Sequence, residues 1–268
     1  MSPPRSGPPA LLVSLESTDT GRSLEPRDAL ARASAALGGV PGVALVRPST
    51  ASREVLERMP PGVSLAAVLP DMARLAREVA DRGAITAALG RLRRGGLGSS
   101  LRLADTVLRN FPAVARQDFR GIVLVLMALD RAGLGAAALQ AVVLAAPLTD
   151  LLLAAGHGAC LAHVVRFVRR RMGAQAGLET LNLGHLLPRL DAWGVAPDFV
   201  IGPLNPRGFR MKPSAASVVA ALRGSPTPVV ASEVTAGGTV PLAAGLDHAR
   251  SVGAAGVVVT LDDLAPAR

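Results

Sequence analysis

The chain has 268 residues, half of them apolar, and a net charge of +9. That length suits one barrel-sized domain or two small ones. Five Phe, one Trp and no Tyr leave it without the aromatic platforms of a base-stacking nucleic-acid binder, and a single cysteine, Cys160, excludes an internal disulfide framework or a thiolate metal cluster within the chain.

In chain order, the opening MSPPRSGPPA is rich in Pro and Gly and starts no apolar run long enough for a signal peptide. Residues 1–9 are therefore expected to form a disordered lead, and the protein to be cytoplasmic. Eight short apolar runs follow: Leu11–Leu15, Val43–Val46, Ser64–Leu69, Ala141–Ala146, Gly177–Leu181, Phe199–Ile201, Val229–Ala231 and Gly256–Leu261. Near-continuous apolar runs of this length read as strands buried on both faces, and strands alternating with helical patterns read as βαβ units of a parallel sheet. In the last third, Ser214 and Thr239 are expected to cap the sixth and seventh helices, with Gly224 and Gly253 as their stops.

Between the third and fourth strands lies far more chain than one crossover needs. Residues 71–137 are read as a basic helical insertion, with eleven arginines against six acids from Asp71 to Arg131. Ile122–Leu129 and Ala132–Leu148 are apolar, but the first stops at Asp130-Arg131 and the second contains Gln140 and Pro147. A span needs about 20 consecutive apolar residues, so a basic amphipathic helix lying on anionic lipid is the better membrane reading. A doubly wound open sheet would carry a Gly-rich turn after its first strand. The turn here, SLESTDTGRS, has no G-x-G-x-x-G, and Gly156-His157-Gly158 falls in a helical pattern. The expected fold is one α/β unit over residues 10–268, a (β/α)8 TIM-like barrel with the insertion between strands 3 and 4.

In such barrels the site forms at the carboxyl ends of the strands, and here those ends are polar. They offer Glu16, Arg47, Asp71, Thr149 and Asp150, then Glu179, Asn182 and His185, Asn205 and Arg210, Glu233 and Thr235, and finally Thr260, Asp262 and Asp263. Two of the three asparagines and three of the seven glutamates fall at these ends, whereas surface glutamates would be expected on helices. Lys212 is the only lysine in an arginine-rich chain. Arginine cannot deprotonate or form a Schiff base and lysine can, so Lys212 is a candidate nucleophile or substrate-binding ammonium; an incidental loop lysine is the bland alternative.

Glu233 follows an apolar strand and is placed for general-base work, unless it serves a structural ion pair with Arg210 or Arg47. After it, TAGGT (Thr235, Gly237, Gly238) could offer backbone N–H groups to a phosphate or carboxylate. The acidic, glycine-free TLDDL of the eighth loop weakens the phosphate version. His185 could act as acid/base. Glu16, Glu179, His185 and Glu233 could together hold a divalent metal, although no H-x-H or H-E-x-x-H spacing supports it.

Residues 177–264 resemble the aldolase-type barrel enzymes in their βα rhythm and in the Gly-rich loop after strand seven. The resemblance implies a lysine, or a metal with carboxylates, acting on a carbonyl substrate. It carries over no individual catalytic residue, and Lys212 sits in a loop rather than on the strand.

The expected function is that of a lyase or isomerase acting on a small anionic or carbonyl-bearing substrate at the rim. Glu233, Lys212, Glu179 and His185 are its catalytic candidates. Glu16, Asn182, Asn205, Arg210, Thr235, Gly237 and Gly238 are its substrate-binding candidates. No cofactor is required by this reading and a divalent metal stays open. Partners are a small molecule and not nucleic acid, with a homo-oligomer open. The alternative function is a membrane-surface protein that docks through its basic insertion.

Overall fold

The computed structural model describes residues 7–15, 26–48, 63–72, 118–135 and 137–264, with isolated positions at 56, 59, 77, 80–81, 103, 105–106 and 108. The elements run β1 (Leu11–Ser14), α1 (Pro26–Ala36), β2 (Val43–Val46), β3 (Leu65–Leu69), α2 (Phe119–Gly133), β4 (Leu139–Leu144), α3 (Ala146–Ala154) and α4 (Gly158–Phe167). After a π-turn at Val168–Met172 come β5 (Gln175–Glu179), α5 (Leu183–Ala192), β6 (Phe199–Pro203), α6 (Ala215–Gly224), β7 (Val229–Ser232), α7 (Leu242–Ser251) and β8 (Gly256–Thr260). The eight strands pair in chain order, all parallel, and β8 closes on β1 through Leu11↔Val257 to Ser14↔Thr260. The chain is a (β/α)8 barrel.

Each strand is buried on both faces, and period-2 alternation divides its side chains between two cores. One core packs strands against helices, as at Leu11, Val13, Ala44, Ala176 and Leu178. The other fills the lumen with Leu12, Val43, Leu45, Ala66, Val68, Ala141, Val143, Phe199, Ile201, Val230 and Val258. Phe199 is fully buried there, which stabilises the fold by about 2–3 kcal/mol. A Cβ at Gly177 would lie 2.8 Å from the Phe199 ring, so the glycine is what leaves room for the aromatic plug.

The insertion between β3 and β4 contributes α2 and helical positions at Met72, Arg77, Ala80, Asp81, Leu103, Asp105, Thr106 and Leu108; the rest of 71–137 lies outside the described residues. Asp118 caps α2 by accepting from the Arg120 N–H at 2.9 Å. Arg131 holds its far end, donating to the Gly135 and Ala137 carbonyls at 2.8 and 2.7 Å. The apolar run Ile122–Leu129 is accounted for by packing: Val123, Leu124 and Met127 join the helix-side core, and Leu103 packs on Ala128, Leu129 and Ala132. Buried Asp130 accepts from the Asp71 N–H at 2.8 Å, tying the helix to the end of β3. Among the described residues no helix is long and apolar enough to cross a membrane.

Several local expectations shift. β4 and β5 each begin two residues earlier than their apolar runs: Leu139 pairs with Leu65 ahead of an irregularity that skips Gln140, and Gln175 pairs with Ala141 despite its polarity. Thr149 and Asp150 therefore lie inside α3 rather than at a strand end. Ser214 does cap α6, accepting from the Ser217 N–H at 3.2 Å. Thr239 does not cap α7: its hydroxyl donates to the Ala236 carbonyl at 2.9 Å, and the helix starts after Pro241. Gly156-His157-Gly158 is the break between α3 and α4, not helix interior; Gly156 has a left-handed φ of 71°, and Gly158 makes room for Trp193. Residues 7–9, expected in the disordered lead, are placed: the Gly7 carbonyl accepts from Gln175 Nε2 at 3.1 Å.

Candidate functional site

Followed upward along the register, the lumen-facing positions change character at the last step. Beyond Leu12, Leu45, Gly177, Val230 and Val258 the next residues on the same side are Ser14, Arg47, Glu179, Ser232 and Thr260. All five are half-buried where the residues beneath them are buried. On these five strands an apolar floor is thus topped by polar residues at the carboxyl ends, the place where barrel enzymes bind substrate, while on β3, β4 and β6 the same level is held by buried Pro70, Ala145 and Pro203.

Two of these groups meet. Arg47 Nη2 donates to Glu179 Oε1 at 2.8 Å. Arg47 follows β2 and Glu179 ends β5, and three strand spacings separate them around the ring. Side chains on non-neighbouring strands can touch directly only by reaching over the lumen. The pair therefore crosses the mouth of the barrel. Glu179 Oε2 accepts from the Ala146 N–H at 3.1 Å, at the start of α3. The carboxylate thus sits between a guanidinium and a helix N-terminus, both of which favour negative charge.

A second pair links the loops after β6 and β7: Arg210 Nη1 donates to Glu233 Oε1 at 2.7 Å. Both residues have left-handed backbones, with φ of 57° and 53°, a conformation costly for a side chain of this size. Arg210 also lies 5.3 Å over the Phe209 ring, and that ring rests against Gly237. Glu233 Oε2 has no hydrogen-bond partner among the described residues. The eighth loop closes back on itself. Asp263 accepts from the Thr235 hydroxyl at 2.5 Å and from the Thr260 hydroxyl and N–H at 2.8 Å.

The remaining sequence candidates occupy other roles. Asn205 is buried, and its amide clamps the backbone of Phe209, donating to the carbonyl at 2.9 Å and accepting from the N–H at 2.8 Å. It shapes the loop and has its side chain turned into it. Lys212 presents its carbonyl to the Gly184 N–H at 3.1 Å, while its side chain is exposed. His185 is exposed in the first turn of α5, and Asn182 precedes that helix without capping it through its side chain. Thr180 donates its hydroxyl to Asp150, which also accepts from the Leu181 N–H at 3.1 Å. Thr235 is buried, and Gly237 and Gly238 take left-handed φ values in the turn before α7. Glu16 lies outside the described residues.

The structure thus brings Arg210 to Glu233 and Glu179 to Arg47, and no hydrogen bond or ion pair joins the Lys212 or His185 side chain to either pair. Among the described residues no three His, Cys, Asp or Glu side chains converge to hold a metal ion. Sequence reasoning missed Ser14 and Ser232, and it gave Arg47 as a strand-end residue and a possible partner of Glu233, not of Glu179. The available signal was the spacing of two from the lumen residues beneath them. Among the described residues the two groups with displaced ionisation are on α4, not at the strand ends. Burial pushes the Cys160 thiol up; burial and then the nearby Arg166 and Arg120 push His163 down.

Comparison with known proteins adds no candidate: no protein-family model, no curated protein and no solved structure matches this chain.

Proposed function

We propose that the chain is an enzyme of lyase or isomerase type, moving a proton next to the carbonyl of a small anionic substrate at the carboxyl-end mouth. The observation that carries this reading is the polar layer over an apolar floor, with two arginine–carboxylate pairs at one opening. A desolvating floor strengthens electrostatic contacts to a bound substrate. A carboxylate with an open oxygen beside it can take a proton.

Glu233 is the base in this reading, because Glu179 has both oxygens engaged by Arg47 and Ala146. Arg210 orients Glu233 and polarises the substrate oxygen. Exposed Lys212 serves as an ammonium at the entrance rather than as a covalent group, since a Schiff-base lysine is activated by an enclosing pocket or an adjacent cation.

The test works without a known product. A panel of aldehydes, ketones and keto acids is incubated with the protein in D2O, and the loss of C–H signals next to each carbonyl is followed by NMR. The reading expects catalysed exchange for at least one compound, and Glu233→Gln should slow it about a hundredfold or more. No catalysed exchange with folded wild-type protein, or an unimpaired Glu233→Gln, rejects the assignment.

A further inference from the structure

The mouth holds an anion site that the protein fills with its own side chain. The Glu179 carboxylate takes one hydrogen bond from Arg47, reaching over from β2, and one from the Ala146 N–H at the head of α3. It does so as the last residue of β5, on the lumen side and above the Phe199 floor. The Asp198 carboxylate pairs with Arg169 between the segments that lead into the neighbouring strands β5 and β6. Glu179 instead reaches a partner 132 residues away across the opening, and the Arg47 side chain is 36 % exposed, so it remains reachable from solvent.

We propose that Arg47 is the anchor for a carboxylate on the ligand, and that Glu179 is a built-in competitor holding the anchor in position until that carboxylate replaces it. This rests on the mouth being a substrate site and names the class of substrate it takes. The planar fork of Arg47 matches a carboxylate, and exchange of one carboxylate for another leaves the guanidinium paired throughout. A phosphate dianion fits less well. It would add two charges to an opening already bearing Glu179, Glu233 and Asp263, and the Gly-containing eighth loop on which barrel phosphate sites draw is replaced by Thr260-Leu261-Asp262-Asp263.

Competition from within has a signature that a purely structural pair lacks. Acetate, pyruvate and malonate are titrated into wild-type protein, Arg47→Ala, Arg47→Lys and Glu179→Gln, with inorganic phosphate as the comparison, and binding is read by calorimetry and NMR shifts. Glu179→Gln removes the competitor's charge and should tighten carboxylate binding roughly tenfold, the size of one charge-assisted hydrogen bond. Arg47→Ala should abolish binding. Arg47→Lys keeps the charge without the fork; it should weaken carboxylates at least severalfold and stands in if Arg47→Ala does not fold. Carboxylate binding that is unchanged or weaker in Glu179→Gln, absent from both wild type and Glu179→Gln, or indifferent to Arg47 overturns the proposal, as does tighter binding of phosphate. Binding is read here without turnover, so carboxylates that bind through Arg47 but undergo no exchange reject the proton-transfer assignment alone, and exchange without Arg47-dependent binding rejects the anchor alone.

Discussion

Two arginine–carboxylate pairs sit at opposite ends of this barrel and are built differently. At the amino-end face Arg169 grips Asp198 with two bonds, at 3.0 and 2.9 Å, and also donates to the Ala196 carbonyl. Asp198 in turn accepts from the Ala176 N–H at 2.7 Å, so the start of β5, the approach to β6 and the end of the outer helical layer are fastened together. At the carboxyl-end face Arg47 meets Glu179 through one bond strung over the lumen. The lower pair is less exposed, 24 % and 14 % against 36 % and 18 %. A bidentate contact between adjacent segments fastens them to each other; the Arg47–Glu179 contact instead bridges an opening, on side chains more open to solvent.

That contrast can be broken by substitution. The largest effect is expected from Asp198→Ala, which leaves the half-buried Arg169 charge and the Ala176 N–H unpaired. A loss of about 3 kcal/mol, a fall in Tm of roughly 8 °C, should appear in thermal and urea unfolding, with carboxylate binding per folded molecule unchanged. A stable Asp198→Ala protein would erase the distinction between the two ends.

Gly177→Ala comes next. Its methyl would meet the Phe199 ring and the Val143 side chain, and overpacking of this kind costs about 2 kcal/mol. Pairing it with Phe199→Leu should recover part of that loss in the same unfolding measurements; no recovery would mean that the plug does not set the room beneath Glu179. The smallest effect belongs to Cys160, buried and with its thiol pushed up by burial. Below the ordinary thiol value of about 8.5 both folded and unfolded states are protonated. Above it the unfolded chain ionises first, so stability should decline as pH rises past that value, and Cys160→Ala should flatten the decline. Maleimide should label Cys160 only on unfolding.

The fold could be read from the sequence because burial on both faces leaves a plain trace. Four of the eight runs, Val43–Val46 and Phe199–Ile201 among them, contain no polar residue, and eight short apolar runs in alternation with helical patterns leave few other arrangements. The starts of β4 and β5 were harder, since a polar residue stands within the first two positions of each: Gln140 is skipped at a register shift, and Gln175 pairs with Ala141 while its amide reaches the Gly7 carbonyl. The rim was legible as a collection and not as an arrangement. Glu179, Arg210 and Glu233 stand at the strand ends where polarity and scarcity pointed. The reach of Arg47 over the lumen depends on which side of β2 it occupies, and that is set by its spacing from Leu45 and Val43. Asn205 shows the opposite failure: a scarce polar residue in the right loop, consumed by the backbone of Phe209.

The Arg47–Glu179 contact also divides unevenly along the chain. Strands β1 to β4 supply only the cation, and strands β5 to β8 only the anion. Neither half of the polypeptide can assemble this pair alone, whatever local structure it acquires first. The two charges meet over a lumen that the β4–β5 pairing and the β8–β1 seal together enclose. Closure of the ring is then what sets Arg47 over Glu179, and a chain in which only one half has folded lacks one member of that pair.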